Sequence, residues 1–414
     1  MLDVKPFSGI RYDQTRTRGD ISAHIAPPYD VLDQTDKDAL LGSSADNIVA
    51  IDLPHIPPKS AGPQDVYERS ATRLDEWLQR GTMIREPKPA LYVYHQRFQH
   101  EQRPHTRRMF IARTRLEPLS SGAILPHEQT FSGPKADRLA LMKATRCQLS
   151  PIFGLYTDPH DRIGSAFGDI TDRPPDVTAT MDGVENRMWI VTDRAVIDAV
   201  STAMAEKRIF IADGHHRYGT AVMYRDWLRE RAGGALPDDH PANHVMFVLA
   251  SMDDPGCLIL PYHRALADVD IAALCDAWAP GTSPAPTTDA ADIVLYDGRT
   301  ERRAALVFTN RSVLSDLEPG RCAAWYDLDY AYLHRYLIDE LLRNRSPEAP
   351  AVHYLKSADD ARLAARDLNG VALLVNATPM AQLRAVSEAG ELMPQKSTYF
   401  FPKLATGLVI HPLA

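Results

Sequence analysis

Residues 209–221 read Ile-Phe-Ile-Ala-Asp-Gly-His-His-Arg-Tyr-Gly-Thr-Ala, "IFIADGHHRYGTA". The run Ile209–Ala212 is apolar and β-prone. After Gly214, the residues Tyr218, Ala221, Tyr224 and Leu228 fall on one helical face, and Gly233-Gly234 ends the helix. The stretch therefore reads as strand, glycine turn, helix. At such a junction the free N–H groups of the helix point outward with partial positive charge, which favours an anion. Gly214 lets a ligand approach the backbone, and His215, His216 and Arg217 add donors, the arginine fork matching phosphate oxygens. Asp213 is placed to hold a divalent cation whose other ligands are phosphate oxygens and water. Zinc is disfavoured, because adjacent histidines on a helix diverge by about 100°. The plain alternative is a structural turn, with Asp213 capping the helix and the histidines satisfying nearby backbone.

A second constellation lies upstream, in "LPHEQTFSGPKADRLALMKATRCQLSPIF" at 125–153. Ser132 is a candidate cap for a helix with Pro134 in its first turn. On that helix Lys135, Arg138, Leu139, Met142 and Arg146 share a face, so three cations converge on one stripe. His127 and Glu128 stand just before it as candidate acid–base or metal groups. The same stripe is also what snorkelling side chains on a half-buried helix look like. "APPYDVL" at 26–32 is a rigid proline turn presenting Tyr29 and Asp30. His263 and Arg264 in "LPYHRAL", and Lys403 in "YFFPKLATGL", are cations beside proline and apolar residues; a site or a surface salt link explains them equally.

Around these motifs, 65–81 has helical period, 89–98 and 106–116 read as two strands of a hairpin, and 47–54 ("NIVAIDLP") is strand-like. Apolar strands flank an Asp-Asp-Pro-Gly turn within 243–266, and 279–292 reads as a mobile loop or linker. Strands and helices interleave without strict alternation, so the expected class is mixed α/β or α+β. We expect an N-terminal and central region, 1–266, carrying the phosphate site. A C-terminal α/β region, 267–414, follows, its closing strand returning to the core.

The 414 residues are 44% hydrophobic and 24% charged, as expected of a globular protein. A net charge of −8, with no run of five Lys or Arg, speaks against nucleic acid or an anionic membrane as partner. Four scattered cysteines give neither a disulfide framework nor a thiolate metal site. No run approaches the roughly 20 apolar residues of a membrane span, so a cytoplasmic protein is expected.

Taken in order, "APPYDVL", "LPHEQTFSGPKADRLALMKATRCQLSPIF", "IADGHHRYGTA", "DDPGCLILPYHRAL" and "FFPKLATGLVIHPL" resemble the bacterial domain-of-unknown-function family numbered 1015, over nearly the whole chain. The core Gly214–Ala221 resembles more remotely the nucleotide box of ParB-type partition proteins, sulfiredoxin and the free-serine kinases. That resemblance implies a ParB/sulfiredoxin-like core with large insertions, Asp213 near a Mg²⁺ ion, and Gly214, His215, His216 and Arg217 near nucleotide phosphates. It further implies a kinase passing a phosphoryl group from ATP, ADP or pyrophosphate to the hydroxyl of a small molecule, foremost free L-serine. A carboxylate would take the alcohol proton, Glu128 and Asp30 being the candidates. Sulfiredoxin chemistry is excluded, because position 215 is histidine where a catalytic cysteine is needed. A partition-like nucleotide switch without kinase activity remains the alternative, although no DNA-reading segment is recognisable.

Overall fold

Alternating and continuous apolar runs at 91–98 and 109–112 build the two longest strands, Leu91–His100 and Arg103–Arg115. They pair antiparallel through a hairpin whose turn places Glu101 and Gln102 at positive φ. This hairpin is the centre of a nine-stranded sheet. The computed structural model describes residues 1–343 and 350–414. We number the sheet strands in chain order: β1 (Val4–Lys5), β2 (Leu91–His100), β3 (Arg103–Arg115), β4 (Ile124–Leu125), β5 (Ile152–Tyr156), β6 (Val177–Met181), β7 (Val184–Val191), β8 (Ile209–Asp213) and β9 (His244–Ser251). Their spatial order is β4-β8-β5-β9-β3-β2-β7-β6, with β1 pairing the end of β3. Two pairings, β4 with β8 and β5 with β9, are parallel, so the sheet is mixed. The chain is of the mixed α+β class.

Four helices matter for the site: α1 (Gln64–Gln79), α2 (Ser132–Thr145), α3 (Arg194–Ala205) and α4 (His215–Ala232). A core of Val93, Phe110, Trp189, Ile197, Ile211 and Phe247 lies between one sheet face and the helices, and Tyr218 and Ala221 of α4 join it. Burying aromatic and aliphatic side chains of this size contributes roughly 1.5–3 kcal/mol each.

Two units partition the chain. The first is Met1–Cys257 together with Pro402–Ala414; the second is Leu258–Phe401. In the second, a six-stranded sheet contains His263–Leu266, Ile293–Asp297 and Val371–Val375 among its strands, and Leu258–Leu260 pairs with Tyr399–Phe401. The apolar strands flanking the Asp-Asp-Pro-Gly turn thus fall in different units, Leu258–Leu266 belonging to the second. The last residues of the chain pair within the first unit, Ile410 with Ile10, Thr406 with Ala26 and His411 with Gln148.

Three local expectations are corrected. Residues 49–52 of "NIVAIDLP" are helical, because Asn47 accepts from the Val49 N–H and donates to the Ala23 and Ile25 carbonyls, turning the chain. Within 279–292, Thr282–Pro284 is a strand paired to Arg303–Phe308. Ser132 does not cap α2; the cap position is Phe131, which makes no side-chain cap hydrogen bond. Among the described residues no helix is long and apolar enough to cross a membrane.

Candidate phosphate-binding site

The box strand β8 is the element from which the site is built. Its residues Ile209–Ala212 are buried, and it lies between β4 and β5. A bulge between Ile211 and Asp213 sets Asp213 opposite Phe153 and re-aims its carboxylate. Gly214 follows with φ +97°, a left-handed conformation that side-chain-bearing residues adopt at a cost. A Cβ there would stand 2.9 Å from the Arg217 Nε atom. The helix α4 then begins at His215, with its first backbone bond from the Tyr218 N–H to the Gly214 carbonyl, 2.9 Å. The amides of His215, His216 and Arg217 precede that bond, and among the described residues the N-cap, Gly214, makes no side-chain cap hydrogen bond.

The parallel pairing of Ile124–Leu125 with Ile209–Phe210 brings the loop 126–131 alongside this turn. Two of its backbone amides end on the two histidines. The His127 N–H donates to His215 Nε2 at 3.1 Å, and the Phe131 N–H donates to His216 Nε2 at 2.9 Å. Each imidazole thus accepts at Nε2 and, when neutral, carries its proton at Nδ1. His215 Nδ1 faces the Glu128 carboxylate, 3.8 Å from Oε2. Burial, then the neighbouring His127, holds the His215 pKa well below its ordinary value, so the ring is neutral at pH 7. His127 is equally buried; its Nδ1 is 2.8 Å from the Ile211 carbonyl, and burial lowers its pKa too. Glu128 keeps 35% of its side chain exposed.

Asp213 is the electrostatic hinge of the turn. Its Oδ2 accepts from Lys403 Nζ at 2.7 Å and its Oδ1 from Arg217 Nη2 at 3.3 Å. Burial pushes its pKa up, but Lys403 and Arg217 outweigh that and hold it well below the carboxylate range. Arg217 also donates to the Pro151 carbonyl, and its side chain is 9% exposed. Asp30, exposed on the short turn Tyr29–Val31, acts through space on Arg217 and His216. A divalent cation does not fit at Asp213 as the carboxylate stands, since both oxygens face cations. Among the described residues no group of three His, Cys, Asp or Glu could hold a metal.

The cationic stripe of α2 does not converge. Arg138 is inward, bonded to Asp137 Oδ2 (2.7 Å) and the Asp52 carbonyl (2.6 Å), with its guanidinium 4.0 Å from the Tyr29 ring centroid. Asp137 and Asp52 are themselves held, by the Tyr67 hydroxyl and the Ser150 hydroxyl, each at 2.7 Å. Lys135 stays beside the turn, donating to Thr130 Oγ1 at 3.3 Å. Arg146 is exposed at the left-handed C-cap of α2, where it acts on Tyr224. The face breaks up because Asp137 and Asp52 supply a buried counter-charge for Arg138, and because α2 ends before Arg146. Between Tyr29, Asp52, Arg138, Ser150, Arg217 and Thr220 lies a cavity of about 40 Å³, room for water but not for a nucleotide.

The turn therefore brings together Asp213, Gly214, His215, His216, Arg217, Glu128, His127, Lys135 and, at a distance, Asp30. It adds Lys403, which the sequence marks only as a cation beside a proline, and the buried acids Asp52 and Asp137, which carry no motif signal.

A family model described as "Protein of unknown function (DUF1015)" matches residues 4–314. No curated protein matches the sequence. Solved structures are similar only loosely. A free serine kinase in complex with AMP aligns at 12% identity and TM-score 0.34, over 69% of this chain and 89% of that one. A conserved hypothetical protein from Pyrococcus furiosus aligns at 12% identity and TM-score 0.33, over 69% and 92%. SbnI with a C-terminal truncation, from Staphylococcus aureus, aligns at 14% identity and TM-score 0.36, over 73% and 87%. Likeness at that level assigns no activity.

Proposed function

The chain belongs to the family described as protein of unknown function DUF1015, and from its site we propose that it is a phosphotransferase acting on the hydroxyl of a small molecule, foremost free L-serine. The observation that carries this reading is the uncapped start of α4 behind Gly214, flanked by the Lys403–Asp213–Arg217 chain on one side and the Glu128 carboxylate on the other. Amides at a helix start, with a lysine beside them, suit the terminal phosphate of ATP, ADP or pyrophosphate. Asp213 acts by orienting Arg217 and Lys403. Magnesium, when present, comes with the donor's phosphates and supplies charge neutralisation.

The acceptor hydroxyl attacks the terminal phosphorus in line. The new O–P bond forms as the bond to the leaving phosphate breaks, and the hydroxyl proton passes to the Glu128 carboxylate. His215, held neutral and oriented by the His127 amide, keeps its Nδ1 side toward the Glu128 carboxylate. Positioning and electrostatics supply most of such a rate enhancement. The alternative, a nucleotide-binding switch without transfer, draws on the burial of Arg217 and Arg138 in internal ion pairs.

Incubating the protein with Mg²⁺, L-serine and each donor in turn, with detection of O-phosphoserine, separates the two. Transfer with one donor, lost in Glu128→Gln while donor binding persists, is the expected result. Donor binding without transfer to any small alcohol establishes the switch, and binding of no donor overturns both.

A further inference from the structure

At the far end of β5 from Asp213, beyond Tyr156, the first unit contains a hollow of about 490 Å³ that the phosphate chemistry does not use. Its size is that of a small-molecule pocket. Val93, Phe110 and Phe167 give it an apolar floor, and Tyr156 and His95 stand in its wall. Asp158, Asp161, Asp253 and Asp254 bring four carboxylates to it, with Arg108 the accompanying cation. Lys207 pairs with Asp158 at 3.0 Å and Arg108 with Asp254 at 3.3 Å. Asp161 and Asp253 pair with no cation among the described residues; Asp253 accepts only from the Asp158 N–H, at 2.9 Å, and the Ser251 hydroxyl, at 3.4 Å. The hollow thus keeps two uncompensated negative charges.

A second observation is independent of the acids. Tyr156 is only 5% exposed, yet its hydroxyl, the one polar group on that side chain, makes no hydrogen bond among the described residues. The hydroxyl opens into the hollow, where a ligand's polar group can meet it. Burial, then the charges of Asp158 and Asp161, keeps this hydroxyl protonated by raising its pKa. His95, its ring edge-on to Trp189 with centroids 4.9 Å apart, makes no side-chain hydrogen bond among the described residues either. Burial, helped by Arg108, lowers its pKa to about 4, so it is neutral at pH 7 and offers an acceptor.

We propose that this hollow binds a small organic cation, an alkyl chain carrying one or two primary ammonium groups. The ammonium donates to the Asp161 and Asp253 carboxylates and the Tyr156 oxygen, and the chain lies on Phe110 and Phe167. A bare metal ion would leave that aromatic floor without a function.

Calorimetric titration of the full chain with the five-carbon alkyl diamine cadaverine, and with its diol analogue, tests this. Saturable one-to-one binding of the diamine is expected, with no heat from the diol. Asp161→Asn and Tyr156→Phe each weaken binding by about fivefold or more, the scale of one lost charge or hydrogen bond near a protein surface. Glu128→Gln leaves it unchanged, which separates this site from the phosphotransfer reading. Absence of saturable binding, equal binding of the diol, or unaltered affinity in both variants with unaltered melting temperatures overturns the proposal.

Discussion

Glu128 and Lys403 stand beside the start of α4 and carry the proposed chemistry. Glu128→Gln is expected to lower kcat by about 100-fold or more, the usual contribution of a positioned general base. It should leave the melting temperature unchanged, because the side chain is a third exposed; single-turnover assays and a thermal melt read the two quantities. Lys403→Met removes one partner of Asp213 and should raise the donor KM while costing about 2 kcal/mol of stability, a charged hydrogen bond's worth. Arg217→Ala is a poorer probe, since it takes a partner from both Asp213 Oδ1 and the Pro151 carbonyl. At this scale the sequence was informative where neighbours lie close along the chain. Asp213, Gly214 and Arg217 form one turn, and their juxtaposition follows from strand-turn-helix geometry alone. The tie between Lys403 and Asp213 spans 190 residues, and no periodicity encodes it. Arg138 misled because a cation on a helical stripe looks the same whether it faces a ligand or a buried acid such as Asp52.

Between β8 and α4 the element-level device is the left-handed glycine. Gly214→Ala forces a side-chain-bearing residue to φ +97° and brings its Cβ against the Arg217 guanidinium. The expected cost is roughly 1–2 kcal/mol from the backbone alone, read as a lowered denaturation midpoint, with weakened donor binding as α4's first amides shift. The strand and the helix were both legible, since β-branched residues precede the glycine and a 3.6-residue apolar period follows it. The bulge that turns Asp213 was not, because it depends on the register against Phe153 and Gly154 of β5. Ser132 was misjudged as a cap because the chain enters α2 one residue earlier, at Phe131, whose own amide is bound by His216. Helix ends depend on such tertiary partners more than helix interiors do.

For the whole molecule, topology and acid response give two tests. The second unit is inserted between Cys257 and Pro402, and both ends are tied to one place: Arg107 donates to the Pro402 carbonyl and feels the Cys257 thiol. Replacing Leu258–Phe401 by a short Gly/Ser linker should leave a first unit that melts cooperatively, whereas deleting 402–414 should not, because it removes Lys403 and the pairings at Thr406, Ile410 and His411. Buried histidines set the pH response. Burial lowers the pKa of His95 and His244 to about 4 and of His411 to about 3, while the unfolded chain protonates near 6.5. Below that value the unfolded state binds more protons, so stability falls as pH drops from about 6.5 toward 4. Asp213, whose pKa is depressed, adds a further loss only below about 4. A melting series between pH 8 and pH 4 should therefore decline on the acid side, and less steeply in His244→Gln.

With 15 histidines in the chain, selective ¹⁵N-histidine labelling isolates the amides of His215 and His216. Titration with pyrophosphate or ADP should shift those two resonances saturably, and Lys403→Met should weaken the response. Shifts confined to other histidines, or none at all, would contradict a phosphate cradle at the start of α4 and remove the basis for phosphoryl transfer.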